Sequence, residues 1–305
     1  MDDFAGWEGS RAFFLGDPPE SLDQPWDSSL RLMAAHRRRG TPVLWATLDD
    51  MLIHGRRLIL RGHPVEPRDV VWLRLDPAAA LRYHEALRAL CGVEATIVNP
   101  PAAVLTVHDK RAALELCPRE SYGVFSAGQL DGIAARLRET GVSRVVLKPP
   151  SLFASRGVRY LTLDDAAALR AAFDDIAPLF GWVVVEPFIA APDGGHPSDL
   201  RVLVTARRVV GMVDRPFDPD LPLRAAPALN AVQRGLVDAA MGLIRARGIF
   251  LAGLDFLGDA LTEINVTCPG ALPEIERVGG GRAEDAILDD LAAWRQPAPR
   301  LLAAV

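Results

Sequence analysis

The chain has 305 residues, half of them hydrophobic, which suffices for one large folded unit or two to three small subdomains with a real core. Its formal net charge of −5 argues against a nucleic acid or an anionic membrane held by bulk electrostatics, while a local basic cleft for phosphates is still compatible with it. Cys91, Cys117 and Cys268 are scattered without CxxC or CxxH spacing, so neither a disulfide framework nor a structural zinc site is suggested, and a reducing cytoplasm fits best. The N-terminus has no apolar signal region, and nowhere is there an apolar run of about 18 residues, so neither export nor membrane spanning is expected.

Residues 1–10 read as a polar leader, and order is expected from Arg11. Strands are expected over 12–16, 42–45, 57–60 and 70–73, with a helix over 28–39 whose basic end, His36-Arg37-Arg38-Arg39, precedes Gly40 as helix C-terminal chemistry requires. Strand alternating with helix implies a parallel α/β sheet. A helix over 82–90, a strand over 96–98 ending at Asn99-Pro100-Pro101, and a helix over 108–116 follow.

A new pattern starts at Gly123, with a strand to Phe125, a helix over 128–139, a strand over 145–148, a polar loop, a strand over 158–163 and a helix over 164–180 opened by Asp164 and Asp165. Strands are then expected over 182–186, 201–205 and 209–213, with a loop around Asp193-Gly194-Gly195. The helix after Asn230 carries Val232, Leu236, Ala239, Ala240 and Leu243 at three-and-four spacing. A hairpin, a terminal helix and a loosely held Pro-rich tail from Gln296 close the chain.

The hairpin carries the chemistry. Two apolar runs, 249–257 and 261–266, flank Gly258-Asp259-Ala260, and each is interrupted by oxygen ligands. Glu263 and Asn265 are two apart and share a strand face. With a three-residue loop or a bulge, Asp255 pairs with Glu263 and joins that face; with a plain two-residue loop it points to the other side. A three-residue loop or bulge is the expectation, because two carboxylates and an amide converging on one face form the oxygen-only set that magnesium prefers.

Lysine occurs only at 110 and 148, which makes each informative. Lys148 ends an apolar strand before the loop 151–157, a place where phosphates could lie; Lys110 near a helix start is a weaker sign. Asp199 and Arg201 straddle Leu200 and share a face, as a phosphate or oxyanion clamp or, equally, as a surface ion pair.

With these residues in place, the chain resembles bacterial glutathione synthetase and its relatives in the ATP-grasp superfamily, over roughly residues 11–294. The most specific match is Gly253-Leu-Asp255-Phe-Leu-Gly-Asp-Ala-Leu-Thr-Glu263-Ile-Asn265-Val-Thr-Cys-Pro269. Asp17-Pro18, Asp27-Ser28-Ser29, Arg74-Leu-Asp76-Pro77, Asn99-Pro100, Asp109-Lys110, Lys148-Pro149, Glu186-Pro-Phe188-Ile189 and Ser198-Asp199-Leu-Arg201 also follow the family's order.

The resemblance implies an α/β chain with an N-terminal parallel α/β (pre-ATP-grasp) domain followed by a two-subdomain ATP-grasp fold. Its divisions would be a disordered leader over 1–10, a substrate-binding domain over 11–106, a central or lid subdomain over 107–187, a C-terminal subdomain with the metal site over 188–297 and a tail over 298–305. It implies ATP and magnesium, with manganese as a substitute, and amino-acid or short-peptide substrates; dimerisation is left open. Lys110, Lys148, Ser155, Gly157, Asp199 and the connector Glu186, Pro187, Phe188 and Ile189 would hold ATP, and Asp255, Glu263 and Asn265 would ligate the metal. Arg201, Arg215 and Lys148 would be catalytic, and Asp17, Asp27, Ser28, Arg74, Asp76, Asn99, Arg224 and Thr267 would face the substrates.

The implied reaction is carboxylate-amine ligation through an acyl phosphate, as in joining γ-glutamylcysteine to glycine or a related pair. A non-catalytic nucleotide-binding protein is the alternative. Three departures bear on this choice. The family's glycine-rich loop is here Pro150-Ser151-Leu152-Phe153-Ala154-Ser155-Arg156-Gly157, its later Arg-Gly-Asn is Leu223-Arg224-Ala225-Ala226-Pro227, and Pro273 stands where relatives carry a polar or basic residue. The last two fall on the substrate side, so the same chemistry on another amine or acid is expected.

Overall fold

A computed structural model describes residues 9–22, 26–76, 81–151, 157–190, 198–218 and 220–294. Most of the expected leader, the loop positions 152–156 that include Ser155, the loop at Asp193-Gly194-Gly195 and the tail from Gln296 lie outside the described residues. No helix among the described residues is long and apolar enough to cross a membrane.

The N-terminal part begins with β1 (Ala12–Gly16), α1 (Ser28–Arg38) and β2 (Val43–Ala46), followed by β3 (Met51–His54), β4 (Arg57–Leu60), β5 (His63–Pro64), β6 (Val70–Arg74), α2 (Leu81–Leu90) and β7 (Thr96–Val98). A parallel sheet of order β2-β1-β6-β7 forms as the alternation of strand and helix predicts. The strand expected over 57–60 exists but belongs elsewhere. His54 pairs with Arg57 across a turn at Gly55, whose φ is +61°, and a two-residue hairpin can only make antiparallel strands, so β3-β4-β5 is a separate meander.

Asp27 caps α1 by accepting from Ser29 N and Leu30 N. The helix expected over 108–116 is present as the shorter α4 (Arg111–Leu116), and a helix that was not expected, α3 (Pro101–Val107), precedes it. Pro100 and Pro101 end the strand and also start a helix, since a proline at the first helical position loses no hydrogen bond.

Then come β8 (Tyr122–Val124), α5 (Leu130–Glu139), β9 (Arg144–Lys148), β10 (Arg159–Thr162), α6 (Ala166–Phe180) and β11 (Val183–Pro187). They form an antiparallel sheet of order β10-β9-β11-β8, covered by α5 and α6 over a core that includes Val145, Leu147, Phe173 and Val185.

The last part holds β12 (Ser198–Thr205), β13 (Val209–Pro216), β14 (Arg224–Ala225), α7 (Ala231–Ala246), β15 (Leu251–Leu257), β16 (Ala260–Asn265), α8 (Leu272–Arg277) and α9 (Ala283–Ala293). Its antiparallel sheet has the order β14-β13-β12-β15-β16. Helix α7 buries Val237, Ala240, Met241 and Ile244; Ala240 of the expected stripe is buried, Leu236 and Leu243 pack against the same core, and Val232 and Ala239 are exposed. The apolar residues of this helix offer two overlapping stripes, and the sheet covers the later one.

This sheet and the N-terminal one share a core in which Phe14, Leu32 and Trp72 meet Leu203, Phe250 and Ile287. Asn99, 1% exposed, fastens them together: its Nδ2 donates to Leu251 O and Val266 O, both 2.7 Å, and its Oδ1 accepts from Phe250 N and Leu251 N. Both ends of the amide are engaged in the interior, so the Asn99 side chain, expected to face the substrates, is committed to backbone partners.

His36 is also fully buried, and the Trp72 indole donates to its Nε2 at 3.0 Å. A protonated ring would set donor against donor. Burial pushes its pKa down to about 3, and Arg39 adds to the effect. The unfolded chain therefore takes up a proton that the folded chain refuses, and the contribution is intact above the ordinary histidine value and lost as pH falls toward 3. Urea unfolding at pH 6.5 and pH 5 should show His36→Gln losing about 1–2 kcal/mol less stability over that interval than the natural chain. Equal losses in the two proteins would contradict this.

Candidate active site

Strands β15 and β16 turn at Gly258 and Asp259, with Leu257 paired to Ala260, yet Asp255 pairs with Glu263 because a bulge separates Asp255 from Phe256 in the register. Thr262 fills the bulge and its hydroxyl donates to Asp255 O at 3.0 Å. The bulge thereby does what a three-residue loop would have done. Asp255, Glu263 and Asn265 line one cavity, while Leu254, Phe256, Leu261 and Ile264 enter the core behind the sheet.

Strands β12 and β13 run longer than expected, which sets Asp199 opposite Arg215 and Arg201 opposite Asp255. A band of charged side chains therefore crosses four strands. Arg201 grips Asp255 through Nε and through NH2 at 2.7 Å, Arg215 reaches Asp255 at 3.3 Å and also pairs with Asp199, and Asn265 Nδ2 donates to Asp255 at 2.9 Å. Burial alone would raise the Asp255 pKa, but Arg201 and then Arg215 outweigh it and hold the carboxyl below its usual range. Burial wins at Asp199, which lies above its usual range despite Arg215.

Gly253 makes room for this grip. A Cβ there would lie 3.1 Å from an Arg201 guanidinium nitrogen and 3.2 Å from its Cδ.

Lys110 Nζ bonds Glu263 Oε1 at 3.2 Å, and Lys148 Nζ bonds Glu186 Oε2 at 2.9 Å. Lys110 N donates to Pro150 O, which draws the two lysine segments together. Burial lowers the Lys148 pKa although Glu186 opposes it; Glu186, which burial would raise, is held low by Lys148 and Arg119. Arg119 went unnoticed in the sequence. It donates to Glu186 at 3.1 Å and to Leu261 O at 2.8 Å, so it ties the middle sheet to the hairpin. The only local signal was a basic residue between a helix end and a strand.

Among the described residues, opposite charges converge in a cavity of about 520 Å³. Asp17, Asp27, Ser28, Arg74, Asp76 and Thr267 line it together with Asp199, Arg201, Arg215 and the hairpin triad. Several of these side chains also brace its wall: Ser28 Oγ accepts from Ala271 N and Leu272 N, and Arg74 donates to Ser29 Oγ and Pro269 O. Cys268 and Trp26 line the cavity too and were not foreseen. Burial pushes the Cys268 thiol up to about 11, with Arg74 opposing, so it is no nucleophile near neutral pH.

Arg224 is half-exposed outside this cavity and pairs with Asp214 at 2.7 Å. Phe188 lies beneath the Arg144 guanidinium at 4.0 Å and edge-on to Tyr160. It, Glu186, Pro187, Ile189, Gly157 and the two lysines do not line the cavity, and Ser155 is outside the described residues.

Among the described residues no three His, Cys, Asp or Glu side chains gather as a metal cluster; the hairpin supplies two carboxylates and one amide. That set still fits a hard cation. Its donors are oxygens, and both carboxylates already draw cationic partners, Arg201 to Asp255 and Lys110 to Glu263.

A family model described as prokaryotic glutathione synthetase, ATP-grasp domain, matches residues 224–280. Glutathione synthetase of Parasynechococcus marenigrum (strain WH8102) is 28% identical over 296 residues, covering 88% of this chain and 94% of its own length. That of Gloeobacter violaceus is 26% identical, covering 94% and 98%. Among solved structures, D-cycloserine synthetase DcsG superposes with a TM-score of 0.66 at 16% identity, over 92% of this chain and 99% of its own. D-alanyl-alanine synthetase A from Vibrio cholerae gives 0.64 at 14% identity, over 93% and 98%. These superpositions show the fold: an N-terminal parallel α/β domain followed by a two-subdomain ATP-grasp fold.

Two glycine substitutions should differ in sign. Gly253→Ala must displace Arg201 and should cost about 1–3 kcal/mol in urea unfolding. Gly235→Ala, in α7 with nothing within 4 Å of the added carbon, should stabilise by about 0.5–1 kcal/mol. A neutral Gly253→Ala would remove the steric role given to that position.

Proposed function

We propose that this chain is a glutathione synthetase-like ligase of the ATP-grasp superfamily, which joins a carboxylate to an amine through an acyl phosphate at the expense of ATP. The observation that carries this reading is the bulged hairpin, which turns Asp255, Glu263 and Asn265 into one cavity beside Arg201 and Arg215. Anionic oxygens of a nucleotide and an activated acyl group need such a mixture of cations and metal-ligating oxygens.

A carboxylate oxygen would attack the γ-phosphorus of ATP as the bond to the ADP oxygen breaks. The amine would then attack the acyl carbon, phosphate would leave, and the proton lost by the amine would pass to phosphate or water. Asp255, Glu263 and Asn265 would hold magnesium or manganese, which supplies charge neutralisation of the phosphates when bound.

Lys148 and Lys110 face the phosphate side in this reading. Glu186, itself held by Arg119, fixes the Lys148 ammonium, so little reorganisation is left for the moment of transfer. Arg201, pinned by Asp255 and cleared by Gly253, and Arg215 would steady the transferred phosphate or the tetrahedral oxyanion. Asp17, Arg74, Asp76 and Thr267 would position the substrates across the cavity. No side-chain nucleophile is needed, in keeping with a protonated Cys268.

The substrates belong to the amino-acid or short-peptide class, with γ-glutamylcysteine plus glycine as one member. Phosphate release from magnesium-ATP across a panel of amino acids and γ-glutamyl dipeptides tests this. A substrate-dependent rate that falls at least about tenfold in Lys148→Met is expected. The same rate with and without every substrate would instead mark a non-catalytic nucleotide-binding protein.

A further inference from the structure

A cavity of about 720 Å³ adjoins the candidate active site, because Trp26 and Glu274 line both. Pro216, Leu221, Pro222, Leu223, Ala225, Val278 and Trp26 give it apolar walls. Its charged lining is mainly acidic. Asp218, Asp220 and Glu274 stand against Arg277, whose guanidinium lies 5.0 Å from the Trp26 ring centroid. The two sequence segments that depart from the resemblance on the substrate side converge here, with Leu223 and Ala225 from one and Glu274 from the other.

We propose that this chamber is the amine subsite and that the amine is an amino compound with an apolar side chain rather than glycine, an inference that rests on the ligase reading. Three carboxylates against one guanidinium disfavour the carboxylate substrate and favour an ammonium group arriving before it loses its proton. The apolar walls give a leucine-sized side chain surface to cover, whereas glycine offers none. Trp26 and Glu274, shared by both cavities, form the passage through which the amine would reach the acyl carbon held near Arg201 and Arg215.

Leucinamide and glycinamide are suitable probes, since both present an amine without a carboxylate. Titration of the full chain, followed by tryptophan fluorescence with ADP present, should show leucinamide binding at least about tenfold more tightly. Ala225 is exposed on the edge strand β14, so Ala225→Trp should fill the chamber and bring the ratio close to one while ADP still binds. Ala225→Leu, a smaller insertion, should lower the ratio in the same direction and serves if the indole prevents folding. Equal affinities in the natural chain, or a ratio that neither variant changes, would overturn the proposal. Failure of the ligase reading looks different: no pair would stimulate phosphate release, whatever the binding ratio.

Discussion

The site depends on one buried ion pair. Asp255 sits where burial opposes its charge, and it stays ionised because Arg201 grips it from the neighbouring strand and Arg215 reaches it from the next. Such a pair is no cheap source of stability, since desolvation consumes most of the attraction, but removing one partner leaves a stranded charge and costs about 3–5 kcal/mol. The pair therefore acts mainly as a device for position. It fixes a carboxylate and a guanidinium side by side in the cavity wall, and the bulge then sets Glu263 directly opposite Asp255.

Around that pair, three sheets are joined by single polar side chains rather than by broad apolar contact alone. Asn99 binds the N-terminal unit to the backbone of β15 and to Val266, Arg74 spans to Pro269, and Arg119 links Glu186 to Leu261. Each connection ends beside the hairpin. The lysines are brought in by the same logic, Lys148 against Glu186 and Lys110 against Glu263, so cationic groups from the first half of the chain meet acidic groups from the second. A small shift in any of these joints would be felt at the cavity, which is the condition for catalysis by positioning.

Much of this was legible in the sequence where a local pattern carried it. Alternation placed Glu263 and Asn265 on one face, and bringing Asp255 to that same face required an irregular hairpin, which the bulge supplies. The basic end of α1, the Asn230 cap of α7 and the strand before Lys148 were equally local. What the sequence concealed depended on meeting partners far along the chain. Arg119 matters because of Glu186, 67 residues later, and Asn99 because of Leu251, 152 residues later. The meander and helix α3 were missed for another reason. Gly55 and Pro101 allow two local outcomes, and tertiary packing chose between them.

The resemblance to glutathione synthetases and the physical reading of the hairpin meet at Asp255, Glu263 and Asn265, while the substrate side follows this chain's own residues. The claim on which the rest stands is that these three oxygens hold a divalent cation beside the nucleotide. Manganese binding in the presence of ATP, read by electron paramagnetic resonance, tests it most directly in the natural chain and in Glu263→Gln, whose side chain is partly open to solvent and whose loss leaves the Arg201 pair in place. The account predicts that the substitution weakens manganese binding at least about tenfold, as loss of one charged oxygen ligand should. Unchanged binding would contradict it.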